Sequence, residues 1–152
     1  MKKISKPDLV KLLHKISFFK SFTDAEIEKI SGVDSYIISR PAGKPFLKEG
    51  QKEQALYILL KGMVYVNKSS NPNGKLANLK PGSVFGDISF GSELKRTTNV
   101  FAEIPSTALK LNADLITHLG AEIETKIKDQ FLNILFRRLE NLNKAFFKKL
   151  KV

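Results

Sequence analysis

The sequence predicts a mainly β fold closed by helices at both ends: an antiparallel sandwich, barrel or jelly roll with helices before and after it. Three observations carry this. Short β-rich runs recur from Val33 to Leu111, with turn signals between them. Apolar residues at helical spacing occupy residues 6–32 and return after residue 112. From Ala121 to Val152 there is no Gly or Pro, so the last segment reads as one long helix. A length of 152 residues, 42% hydrophobic and 27% charged, suits one compact domain able to bury a core without staples.

Residues 6–20 form the first predicted helix, with Leu9, Leu12, Leu13 and Ile16 on one stripe and Pro7 in its first turn. Thr23 and Glu26 have capping-box spacing and start a second helix, whose Ile27 and Ile30 share a face and which Gly32 stops. Phe18, Phe19 and Phe22 lie between the two and are expected to fill the seam between helix and sheet. About eight strands then occupy 33–111: residues 36–39, 44–47, 55–60, 63–66, 76–79, 84–85, 99–102 and 107–111. The run Tyr57–Val66 around Gly62 reads as a central hairpin. Asn112-Ala113-Asp114 starts a short helix with Leu115, Ile116 and Leu119 inward, and Gly120 is the expected hinge before the long helix. In that helix Leu132, Leu135, Leu139, Leu142 and Phe146 recur at coiled-coil-like spacing, and Ile127, Phe131 and Ile134 widen the apolar face. The seam is a candidate surface for a homodimer or a partner protein.

Charge and chemistry narrow the function. The net charge is +11, and its excess lies at the ends. Residues 1–20 carry six lysines against Asp8, and 126–152 carry eight basic side chains against Asp129 and Glu140. Such runs are usually solvated faces, so membrane contact by the basic ends is not expected. With no cysteine and only His14 and His118, thiolate and Ser-His catalysis and a metal cluster lack their residues, and no enzyme is expected. The start lacks the apolar core of a signal peptide and no run reaches spanning length, so a cytoplasmic location is the default.

The chemistry-bearing stretch is Lys80-Pro-Gly-Ser-Val-Phe-Gly-Asp-Ile-Ser-Phe-Gly-Ser-Glu-Leu-Lys-Arg-Thr-Thr-Asn-Val100. Gly86 lets backbone N–H groups crowd an anion, Asp87 can accept from a sugar hydroxyl, and Arg96 supplies a planar fork for phosphate oxygens. The residues read as a phosphate-and-ribose cassette. The competing reading is an Asp87–Arg96 ion pair that only closes the loop.

Helices, about eight strands, a Gly-Asp…Arg-Thr-Thr cassette before the last two strands and a long helix together resemble the cyclic nucleotide-binding domain. The anchors are Phe-Phe-Lys-Ser-Phe (18–22), Phe-Leu-Lys-Glu-Gly (46–50), Leu-Tyr-Ile-Leu-Leu-Lys-Gly (56–62), Leu-Lys-Pro-Gly-Ser-Val-Phe-Gly-Asp (79–87) and Arg-Thr-Thr-Asn-Val (96–100). The resemblance implies an α+β, mainly β fold: an eight-stranded antiparallel jelly roll (33–111) after a helical N-terminus (6–32) and before short and long C-terminal helices (112–150). It implies cAMP or cGMP as ligand and no other cofactor. The ligand-binding residues it implies are Phe85, Gly86, Asp87, Ile88, Ser89, Arg96, Thr97 and Thr98. Gly86, Ile88 and Ser89 would cradle the phosphate, Arg96 would fork it, and Asp87 would hold the ribose 2′-hydroxyl. Thr97 would favour guanine, and Thr98 would add a phosphate contact. A lid from the long helix would cover the base. Three residues depart from the family pattern: Asp87 for the usual glutamate, Lys95 for a frequent proline, and Met63 for a frequent glutamate. About ten residues after Leu142 leave no room for a helix-turn-helix, so sequence-specific DNA binding is not expected. The expected function is a stand-alone sensor in which ligand repositions the C-terminal helix. The alternative is a nucleotide-free scaffold on the same fold.

Overall fold

A computed structural model of the chain describes residues 3–33, 36–86 and 95–150. Helix α1 (Lys6–Lys15) is capped by Ser5, whose Oγ accepts from Asp8 N–H, and Pro7 lies in its first turn as predicted. The helix stops five residues short of the predicted end. Ile16 is extended, and Ser17–Phe19 form a single 3-10 turn. Consecutive residues on an α-helix point about 100° apart, so a continued helix would turn Phe18 and Phe22 to the side opposite Leu9 and Leu13 and could not bury them in the same core. The break allows it: Phe19 meets Phe18 and Phe22 edge-to-face, each at a centroid distance of 5.1 Å. Helix α2 (Asp24–Ser31) opens on the predicted capping box, with both bonds formed between Thr23 and Glu26.

Eight strands follow among the described residues: β1 (Ile37–Arg40), β2 (Pro45–Leu47), β3 (Ala55–Lys61), β4 (Val64–Asn67), β5 (Ala77–Leu79), β6 (Val84–Phe85), β7 (Asn99–Ala102) and β8 (Ser106–Asn112). They form two antiparallel four-stranded sheets, ordered β1-β8-β3-β6 and β2-β7-β4-β5. The predicted Tyr57–Val66 hairpin is therefore not formed. β3 pairs with β6 and β8 while β4 pairs with β5 and β7, so the chain changes sheet at Gly62. Gly62 has φ +97°, and a Cβ there would stand 2.2 Å from Ser106 Oγ and 2.7 Å from the Pro105 carbonyl. Only glycine fits this crossing.

Ala55–Leu60 is buried without interruption because β3 has a core on each face. Leu56, Ile58 and Leu60 point outward into a core shared with α1, α2 and the C-terminal helices, whereas Ala55, Tyr57 and Leu59 point into the roll. Asn112 caps helix α3 (Ala113–His118) by accepting from Leu115 N–H at 2.8 Å. Gly120 (φ +98°) then turns the chain into α4 (Ala121–Leu150). Ile123, Ile127 and Phe131 of α4 are buried in or beside the helical core and Ile134 packs against it. Beyond that point no apolar side chain of the helix enters the core, although Arg138 still reaches Val84 of the roll. Of the predicted seam, Leu132, Leu139, Leu142 and Phe146 are exposed and Leu135 is half-buried. Lys126 fixes the base of the helix, donating to Glu26 Oε1 at 2.6 Å and to the Ser21 carbonyl at 3.0 Å.

Candidate functional site

The cassette begins with a tight turn. Gly82 N–H reaches the Leu59 carbonyl at 2.7 Å and Ser83 N–H the Lys80 carbonyl at 3.0 Å, which delivers β6 to the edge of β3. There Phe85 pairs with Tyr57 in register and stacks on its ring, with centroids 5.2 Å apart. Gly86 follows with φ +77°, and a Cβ at this position would lie 2.8 Å from Arg96 Nη1. The glycine is thus the space into which the arginine packs.

Arg96 is 4% exposed, an unusual burial for a guanidinium. Its backbone is pinned to the turn after β2: Arg96 N–H donates to Gln51 O at 2.8 Å, and Gly50 N–H donates to Arg96 O at 2.7 Å. Its side chain donates through Nη1 to Gly86 O at 2.5 Å and through Nη2 to Ala55 O at 2.9 Å. Nη2 also lies 3.5 Å from Glu53 Oε1. Glu53 in turn accepts from Tyr57 Oη at 2.6 Å and from Lys110 Nζ at 2.8 Å. Burial pushes the Glu53 carboxyl up, but hydrogen bonds from Lys110 and Tyr57, with the charges of Lys110 and Arg96, hold it below the ordinary carboxylate value. Burial, then the bond to the Glu53 carboxylate, pushes the Tyr57 phenol far up, so it stays a neutral donor.

Phe85, Gly86, Arg96, Thr97 and Thr98 line one cavity of about 250 Å³, together with apolar side chains that include Leu47, Val66, Leu79 and Val100. The polar groups gather at the cassette, the rest of the wall is largely apolar, and no acidic side chain lines it among the described residues. One residue comes from outside the roll: Arg138 of α4, whose Nη2 donates to the Val84 carbonyl at 3.1 Å. Arg138 also borders a second cavity, of about 320 Å³, between α4 and Ser17–Phe18.

Residues 37–122, from β1 into the first turn of α4, match the family model for the cyclic nucleotide-binding domain. The chain belongs to that family. A cGMP-dependent protein kinase of Caenorhabditis briggsae is 27% identical over 128 residues, covering 80% of this chain and 17% of the kinase. A CRP-like cAMP-activated global transcriptional regulator of Mycobacterium tuberculosis is 27% identical over 106 residues, covering 68% of this chain and 46% of the regulator. The chain thus spans less than half the length of these relatives. Among solved structures, a cyclic nucleotide-binding domain from Methylobacillus flagellatus superimposes with TM-score 0.73 at 22% identity, over 95% of this chain and 83% of that one. The regulatory subunit of a cAMP-independent protein kinase A from Trypanosoma brucei gives 0.69 at 19% identity, over 97% and 50%. Both likenesses concern the fold.

In this cyclic nucleotide-binding domain, five of the eight predicted site residues meet at one cavity. Asp87, Ile88 and Ser89 lie outside the described residues. Sequence reasoning had paired Arg96 with Asp87 alone and missed Glu53, Tyr57 and Lys110, which converge from two strands and a loop. A charged residue two positions before the unbroken buried run Ala55–Leu60 was the available signal for Glu53. Arg138 was missed too, because it reaches the cavity only through the docking of α4.

Proposed function

We propose that this domain is a regulatory sensor, not an enzyme, that binds cAMP or cGMP in the cavity roofed by Arg138 and transmits occupancy through α4. One observation carries the reading: a buried arginine and two threonines line, with Arg138, a largely apolar cavity that no described acidic side chain lines. At about 250 Å³ the space lies just below the roughly 300–1,000 Å³ of ligand pockets, which favours a ligand no larger than a mononucleotide. Arg96 takes the phosphate, since an anionic oxygen is a stronger acceptor than the neutral carbonyls it now holds. Gly86 gives the phosphate room to approach, and Thr97 and Thr98 add donors. By family resemblance Ile88 and Ser89 complete the cradle and Asp87 takes the ribose, while the base lies against Phe85, Leu79 and Val100 beneath Arg138.

A ligand shifts a conformational equilibrium only by its differential affinity for the two states. Here the differential contact is Arg138, which reaches the cavity only when α4 is docked. Gly120 is the hinge, and the Lys126–Glu26 bond holds the helix base. The kinase and transcriptional activities named in the relatives belong to proteins of which this chain spans a part, and are not proposed for it. A thermal-shift measurement tests the reading: millimolar cAMP or cGMP raises Tm by several degrees and linear 5′-nucleotides do not. No shift with either cyclic nucleotide overturns it.

The second reading is a nucleotide-free scaffold, favoured by the ties of Arg96 to Gly86 O, Ala55 O and Glu53, which engage both terminal nitrogens of the guanidinium internally. It predicts that the scaffold binds a partner equally well with and without cyclic nucleotide.

A further inference from the structure

The end of α4 is a helix without a packing surface of its own. From Phe136 to Leu150, six large apolar side chains are between 56% and 67% exposed: Phe136, Leu139, Leu142, Phe146, Phe147 and Leu150. At about 100° per residue they fall within an arc of about 140°. Arg137, Arg138, Lys144, Lys148 and Lys149 occupy the rest of the circumference against a single acid, Glu140, which pairs with Lys144 at 3.6 Å. Helices in proteins owe most of their stability to packing of such a face. Something of complementary chemistry is needed to cover this one.

A second copy of the chain fits poorly. Coiled-coil pairing is selected by opposite charges flanking the seam. Beside Leu132, Leu135, Leu139, Leu142 and Phe146 the flanks offer Phe136, Arg138, Asn143 and Ala145, with no acid, and the next seam position is Lys149. Two parallel copies would set Lys149 against its own counterpart in the seam and give Arg138 no opposite charge to meet. The apolar arc is also wider than a seam and carries three phenylalanines. Long basic side chains that rise past an apolar arc to reach polar headgroups suit an anionic bilayer surface. Among the described residues no helix is long and apolar enough to cross a membrane, which fits lying on one.

We propose that residues 136–150 of α4 form an amphipathic surface that docks the domain onto anionic lipid. Charge runs alone did not lead to this expectation from the sequence. What changes it is the segregation of both residue classes on a stretch of helix whose apolar arc the domain leaves uncovered, Arg138 turning back to the roll at Val84. The proposal does not depend on nucleotide binding.

The test is co-sedimentation of the full chain with large vesicles, either pure phosphatidylcholine or an equimolar mixture with phosphatidylglycerol. Expected is partition onto the anionic vesicles at least about tenfold above the neutral ones, weakened by salt. Lys148→Gln and Lys149→Gln each lower it by roughly fivefold. Phe146→Ser lowers it with an unchanged melting temperature, since that side chain is exposed in the free domain. Equal partition onto both vesicle types, or anionic binding untouched by these three variants, overturns the proposal. So does a concentration-dependent dimer by light scattering, abolished by Phe146→Ser, in a chain that ignores vesicles.

Discussion

Arg96→Lys separates the guanidinium fork from its charge. Arg96 spans two carbonyls that the chain order keeps far apart, Gly86 O at 2.5 Å and Ala55 O at 2.9 Å, with Glu53 beyond at 3.5 Å. A lysine ammonium is a point donor on a flexible stem and cannot hold that geometry. It keeps the attraction to Glu53 but surrenders at least one carbonyl. A hydrogen bond from a charged donor contributes about 1.5–3 kcal/mol, and the carbonyl left behind is largely shielded from water. A loss of about 2 kcal/mol follows, which at this chain length lowers Tm by about 4–8 °C. The same loss of fork geometry weakens cyclic nucleotide by at least about tenfold, since each 1.4 kcal/mol is a factor of ten. Scanning calorimetry reads the first effect and titration calorimetry the second. If Arg96→Lys melts within a degree of the parent and binds nucleotide equally, the fork does not organise the site and the reasoning fails.

Three further outcomes follow from the same geometry. Gly62→Ala places a side chain at φ +97° and 2.7 Å from the Pro105 carbonyl; the left-handed backbone alone costs about 1–2 kcal/mol, so a drop in Tm of more than about 5 °C is expected. Glu53 titrates lower folded than unfolded, so its stabilisation is complete above its ordinary value of 4.5 and is lost as pH falls through the lower folded value. Urea melts of Glu53→Gln therefore show a shallower decline in stability below that pH than the parent does. Lys126→Met removes the bonds to Glu26 and Ser21, and hydrogen exchange should accelerate in the first turns of α4 while β3 and β8 stay protected.

What the sequence made legible was local. The Thr23–Glu26 capping box, the Asn112 cap and the turn at Gly120 each depend on residues within four positions of one another, and each is found as expected. Strand positions were legible for the same reason. Pairing was not: a run broken by one glycine looks like a hairpin unless it is known that Ser106 and Pro105 occupy the space beside it. The site divides along the same line. Gly86 and Arg96 announced themselves by residue type and spacing. Glu53, Lys110 and Arg138 did not, because their contacts join residues 43 to 57 positions apart or depend on how a helix lies on the roll. Asp87, expected to hold the ribose, and Ile88 and Ser89, expected to complete the phosphate cradle, lie outside the described residues.

The central claim is that a cyclic nucleotide occupies the cavity between Arg96 and Arg138. Titration calorimetry of the unmodified chain with cAMP and with cGMP tests it most directly. The account predicts saturable heat at one site per chain for at least one of the two, lost in Arg96→Ala. No heat from either nucleotide at millimolar concentration, with the chain folded, would contradict it.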